Sequence, residues 1–166
     1  DVLYEDDHLI VINKPAGLTV HPAPGNKDGT LVNALLHHCP DLPGIGGEMR
    51  PGIVPRLDKD TTGCIVIAKS QEALVRLQVQ IQKRIASREY LAVVHGQPQG
   101  DHGTIVAAIG RHPVDRKKYA VVQDGSGRHA CTHWRVLERL GDYCLLRFRL
   151  DTGRTHQIRV HCAHMN

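Results

Sequence analysis

The sequence predicts an α+β domain: a largely antiparallel, mixed β-sheet with flanking helices and loops. Three observations lead there. Short β-branched runs bounded by turn residues outnumber the stretches of helical spacing. Links as short as Leu140-Gly141-Asp142 suit antiparallel hairpins. A parallel α/β sheet would need a helix between successive strands, and too few helical stretches are present.

The elements follow in chain order. Residues 1–7 read as the start of a domain cut from something longer. Residues 9–12 form a short strand ended by Asn13-Lys14-Pro15, and 16–26 is a loop. Leu31–His38 has helical spacing but is short. Residues 39–55 are rich in Pro and Gly and form a long irregular loop, a kind that often carries function in compact domains. The run 64–68 is a buried strand. Ser70 caps a helix from 71 to about 85, with Leu74, Leu77, Ile81 and Ile85 on one face. Strands return at 90–95, 104–109, 119–122, 129–138 and 143–150. The last alternates, with Cys144, Leu146, Phe148 and Leu150 on one face and Arg147 and Arg149 on the other. Thr155 caps a short terminal helix that puts Gln157 and His161 on a shared face.

At 166 residues the chain suits one or at most two compact domains. Apolar content is 41%, with one Trp and one Phe, so the core must rest on Val, Ile, Leu and Ala. A net charge of +4 permits a polyanionic partner without demanding one. No window has the length or apolarity of a membrane span, and no signal peptide opens the chain. The five cysteines include no C-x-x-C pair, and their number is odd. A reducing compartment without a disulfide framework is expected.

Three stretches are unusually polar for their place. The first is Arg56-Leu57-Asp58-Lys59-Asp60, just ahead of the buried strand. Asp60, followed by Thr61-Thr62-Gly63, fits a turn cap. Asp58 fits that role less well, because apolar Leu57 beside it should anchor the loop to the core. A carboxylate at the edge of a core needs a cation or several donors, and Arg154 and Arg159 are candidates. The second stretch, GRHPVDRKKYAV, is a basic loop between strands carrying Arg111, Arg116, Lys117 and Lys118. It reads equally as a solvated hairpin tip or as a phosphate grip. The third, DTGRTHQIRVHCAH, offers His156, His161, His164 and Cys162, but no zinc-site spacing. Hydrogen-bonded histidines are the expected reading there.

These same residues resemble the RluA-type pseudouridine synthases. That family's signature around its catalytic aspartate is H-R-L-D-x-x-T-S-G, and this chain has PRLDKDTTG. INKPAGLTVHP, SREYLAVVHG and TGRTHQIRVH match three further family segments in the family's order, and GRHPVDRKK is similar to a family loop. The resemblance implies a pseudouridine synthase catalytic-domain fold over 1–166. It implies that Asp58 acts on the ribose of a target uridine, by adding to C1′ or by deprotonation toward a glycal. The uracil then rejoins through C5. Arg159 would be the salt-bridge partner of Asp58. Tyr90 would stack on the base and assist late proton transfer. Arg56 would fill the stack of a flipped uridine. Arg111, Arg116, Lys117, Lys118 and Arg154 would bind RNA. No metal or other cofactor is implied.

Two departures accompany the resemblance. Pro55 stands where the family usually has His, which removes an N–H and pushes Val54 toward extended geometry. The chain also stops at Asn166, where the family continues into a segment that helps close the active-site wall. A domain truncated at its C-terminus, without the S4-type RNA-binding domain of many relatives, is expected. The expected partner is structured RNA, large-subunit ribosomal RNA first and transfer RNA as the alternative. A monomer with no membrane association is expected, in the cytoplasm or an organellar matrix. The competing class is a non-catalytic RNA-binding domain on the same fold.

Overall fold

Ile10 and Ile12 alternate with less buried neighbours along β2 (Leu9–Lys14), so one face of this strand is core. Period two puts Lys14 on that same inward face. In this computed structural model, which describes residues 1–23, 25–42, 45 and 51–165, β2 is the centre of a three-stranded antiparallel sheet. β1 (Val2–Glu5) flanks it on one side and β3 (Gly63–Ala68) on the other, with Leu9 opposite Ala68 and Lys14 opposite Gly63. β1 lies within the residues expected only to begin a cut domain. All four of its side chains are exposed, so it lacks the inside–outside alternation by which a strand is recognised.

Two helices complete this first unit, Asp1–Ala86. α1 (Leu31–His38) starts at a reciprocal cap, in which the Thr30 hydroxyl accepts from Asn33 N and the Asn33 side chain accepts from Thr30 N. α2 (Gln71–Gln82) is capped by Ser70, as expected. It ends short of the expected 85 because Arg84 takes a left-handed φ of 61°, and Ile85 is exposed rather than on the buried face. Residues 43, 44 and 46–50 of the long loop expected over 39–55, among them Pro43, Gly44, Gly46 and Gly47, lie outside the described residues.

The second unit, Ser87–Asn166, holds a four-stranded sheet in the order β4-β9-β8-β5. Its strands are β4 (Glu89–His95), β5 (His102–Val106), β8 (Cys131–Leu140) and β9 (Tyr143–Leu150). β9 alternates as expected, and Trp134, Cys144, Leu146 and Phe148 form the core beneath it. β6 (Ile109–Arg111) and β7 (Tyr119–Val121) form a separate two-stranded hairpin. The single strand expected over 104–109 is thus divided, because Ile109 exchanges backbone hydrogen bonds with Arg128 at 2.9 Å. α3 (Gln157–Met165) ends the described chain. It starts two residues after Thr155, the expected cap, because His156 intervenes with a left-handed φ of 56°. The α+β class therefore stands, with three sheets in place of one mixed sheet, and every described strand pairing is antiparallel. No described helix is long and apolar enough to cross a membrane.

Gly52 decides how the chain approaches Leu57 and Asp58. Its N–H donates to Ile45 O and its carbonyl accepts from Ala68 N, both at 2.8 Å, which staples the loop to β3. Its φ is +65°, and a Cβ there would be driven into the Ala68 carbonyl. Gly52→Ala is expected to cost roughly 2–6 kcal/mol, from left-handed strain plus overpacking. Urea denaturation checks this, and a midpoint equal to the parent's would refute it.

Candidate functional site

Asp58 stands on a loop tied to the first unit's core at two points. Leu57 is buried, as its apolar character predicted, while Arg56 and Lys59 on either side are exposed and Asp58 is half-buried. A turn closes after it, with Thr61 N donating to Asp58 O at 3.1 Å, and Asp60 sits in that turn. The second tie is Lys14. Its ammonium is wholly buried and donates to three carbonyls, Pro15 O at 2.8 Å, Leu18 O at 2.9 Å and Lys59 O at 2.8 Å. All three of its N–H donors are thus used. The ammonium therefore joins the end of β2, the loop after it and the residue next to Asp58.

Burial pushes the Lys14 pKa below the usual lysine value, and the Asp60 and Asp58 carboxylates pull it back up. So the loop that carries both aspartates has a cation beneath it. Sequence reasoning placed Lys14 in a matching segment but assigned it no role. The available signal was a lysine at an inward position of an alternating strand.

In the second unit, a buried polar network sets the start of α3. Gln157 Nε2 donates to Cys131 O at 3.0 Å and to Thr132 Oγ1 at 2.8 Å. Its Oε1 accepts from Arg154 N at 2.9 Å and from the Thr152 hydroxyl at 2.8 Å. One turn on, His161 is fully buried, with Nε2 at 3.1 Å from Ala107 O and Nδ1 at 2.9 Å from Thr132 Oγ1. A carbonyl only accepts, so Nε2 carries the proton and Nδ1 accepts from Thr132. Burial lowers the His161 pKa and favours that neutral form. His161 is therefore a hydrogen-bonded structural histidine, as expected of that cluster.

The network fixes where the α3 arginines stand. Arg154 is half-buried, with Nε donating to His129 O at 2.8 Å. Arg159 is exposed on α3 and borders a cleft of about 850 Å³ whose other walls include Ala92, Val94, Leu146, Ile158 and Cys162. Tyr90, on β4 opposite Phe148, is half-buried and packs against the core of the same sheet.

The basic loop is the β6–β7 hairpin and its tip. Arg111 lies 4.5 Å over the Tyr119 ring, and Tyr119 in turn meets His156 edge-on at 5.7 Å. That stack joins the hairpin to the residue just ahead of α3. At the tip, Asp115 accepts from Lys117 N and pairs with Lys118 at 3.4 Å, while Arg116, Lys117 and Lys118 are exposed. Arg111, Arg116, Lys117 and Lys118 thus share one hairpin in the same unit as Tyr90, Arg154 and Arg159, whereas Arg56 and Asp58 share a loop in the first unit.

A family model described as RNA pseudouridylate synthase matches residues 8–164. An uncharacterized RNA pseudouridine synthase of Synechocystis is 60% identical over 166 residues, covering 99% of this chain and 51% of that protein. A protein of Pseudomonas aeruginosa named ribosomal large subunit pseudouridine synthase D is 54% identical, covering 99% of this chain and 50% of its own length. Among solved structures, human RNA pseudouridylate synthase domain containing 1 superposes with a TM-score of 0.75 at 25% identity, over 98% of this chain and 64% of that one. The chain spans about half the length of the curated relatives it matches.

Lys14→Met should release the Asp58 loop. Three carbonyls lose their donor, and even one buried acceptor left unmade costs about 1–3 kcal/mol. The expected outcome is a lower urea midpoint together with faster amide exchange at Thr61. Unchanged exchange at Thr61 would show that Lys14 does not hold the loop.

Proposed function

Since the chain belongs to the RNA pseudouridylate synthase family, we propose that it isomerises uridine to pseudouridine in structured RNA, with Asp58 acting on the ribose. The supporting observation is the loop itself: a half-buried carboxylate on a segment held by buried Leu57 and by the Lys14 ammonium. The reaction breaks the bond from C1′ to N1 and forms one from C1′ to C5. The C5 proton is lost to solvent, N1 takes one up, and no electrons are gained or lost. A carboxylate that must meet the ribose in a set position is served by a fixed loop. Tyr90 is proposed to stack on the base and Arg159 to supply the guanidinium the family motif places near the reaction. Arg56, exposed beside Leu57, is proposed to fill the place of the flipped base.

The RNA is proposed to be large-subunit ribosomal RNA, at a uridine in a folded stem-loop. The target class is supported by the name of the Pseudomonas aeruginosa relative. The stem-loop is supported by the cost of flipping, which is least where the base is already loose. Arg154 and the β6–β7 hairpin are proposed to hold phosphates, which position an RNA without reading its sequence.

Asp58→Asn is expected to abolish tritium release from C5-labelled uridine in a ribosomal stem-loop transcript, with RNA affinity kept within a few-fold. Continued release by the Asn variant would remove Asp58 from the chemistry. Tight binding by the parent chain without any release would instead favour the non-catalytic RNA-binding reading.

Arg116, Lys117 and Lys118 changed together to Ala should weaken RNA binding and flatten its salt dependence by about 0.7–0.9 per lost contact. Lys118 should contribute least, because Asp115 already holds it at 3.4 Å. Arg111 is kept in this variant because its guanidinium lies against Tyr119. An unchanged salt slope would make the hairpin tip a solvated turn.

A further inference from the structure

We propose that Cys131, His133 and Asp151 form a binding site for a divalent transition-metal ion, zinc by chemical preference. The site is built by the sheet. Cys131 and His133 stand two apart on β8 and so project from one face. Asp151 follows the last residue of β9, and its backbone N–H donates to Cys131 O at 3.3 Å, which brings the two side by side. One ligand atom from each of the three residues lies within 4.8 Å of the other two.

The distances fit a tetrahedral ion. With Zn–S near 2.3 Å and Zn–N and Zn–O near 2.0–2.2 Å, tetrahedral angles put S···N at about 3.5 Å and N···O at about 3.3 Å. Here Cys131 Sγ is 3.8 Å from His133 Nε2, and that nitrogen is 3.1 Å from Asp151 Oδ2. The other ring nitrogen, Nδ1, is 2.9 Å from Thr104 Oγ1, and Thr104 stands directly opposite His133 on β5. That bond orients the ring and leaves Nε2 toward the thiol and carboxylate, the outer-shell arrangement that metal-binding histidines use. A thiolate and a carboxylate together neutralise a divalent charge. The thiolate favours zinc over magnesium or calcium.

The pocket is not sealed. The His133 side chain is 31% exposed and that of Asp151 14%, so a fourth position faces solvent and would take a water. Among the described residues the other cluster of similar make-up, Glu5, His38 and Cys39, is a poorer candidate, because Lys69 Nζ lies 2.9 Å from Glu5 Oε1 and competes with any cation. The site at Cys131 would lock the strand ends from which the Thr152–Arg154 segment departs, since Thr152 Oγ1 accepts from Cys131 N at 3.0 Å. It has no part in the proposed RNA chemistry, which invokes no metal. Linear spacing does not reveal it, because Asp151 comes from a different strand end than Cys131 and His133.

The test uses the whole chain, reduced, stripped of metal and titrated with Co(II). The expected result is one equivalent bound, with the strong visible bands of a tetrahedral ion and a near-ultraviolet thiolate charge-transfer band. Zinc should displace it. Cys131→Ser should abolish the charge-transfer band, whereas Cys64→Ser, at an exposed cysteine elsewhere, should leave it. Asp151→Asn, which preserves shape, and Thr104→Val, which removes the hydroxyl behind His133, should each weaken zinc binding by about 10–100-fold in chelator competition. Absence of tetrahedral bands in the parent chain would overturn the proposal. So would a band retained in Cys131→Ser, or a zinc affinity unmoved by Asp151→Asn.

Discussion

The buried ammonium of Lys14 is the constraint on which the first unit's candidate site depends. A lysine at an inward position of a strand loses its hydration and must be given acceptors. Here the acceptors are three backbone carbonyls from two loops, and one of them belongs to Lys59. Satisfying the charge therefore shapes the loop. The segment cannot move away from β2 without leaving a buried cation short of a partner, so the residue next to Asp58 is held to a strand whose other inward side chains, Ile10 and Ile12, are apolar. A charged loop stands ahead of a buried strand because its conformation is pinned from below by charge and from beside by Leu57.

The second unit places its arginines by a different device. Gln157, Thr132 and His161 form a buried network in which each donor meets an acceptor, closed by the Ala107 and Cys131 carbonyls. Such a network is rigid when complete and costly when broken. It fixes the turn from Arg154 to α3, and with it the side from which Arg159 projects. The ring stack from Arg111 through Tyr119 to His156 then ties the basic hairpin to the same turn. A long basic side chain over a ring loses some of its freedom, which suits a surface that must present charge in a set direction.

Family membership and these two devices address different questions. The family match over 8–164 says what kind of chemistry the chain is related to. The devices say why the Asp58 loop and the start of α3 hold their conformations. The proposed metal site belongs to neither, since it arises from the register of β5, β8 and β9 on one face of a sheet.

By itself the sequence determined the elements whose burial follows a regular period. β9 alternates as written, α1 and α3 carry helical spacing, and Ser70 caps its helix. Leu57 was legible as an anchor because one apolar residue among charges has only the core to go to. Motif order pointed to Asp58, Tyr90 and Arg159. Only the tertiary structure decided which polar residues are buried, because burial of Lys14, Gln157 and His161 depends on acceptors brought from distant positions. It also decided that β1 is a strand and that residues 104–109 are divided between two sheets. Backbone pairing partners, which carry no side-chain signature, set both.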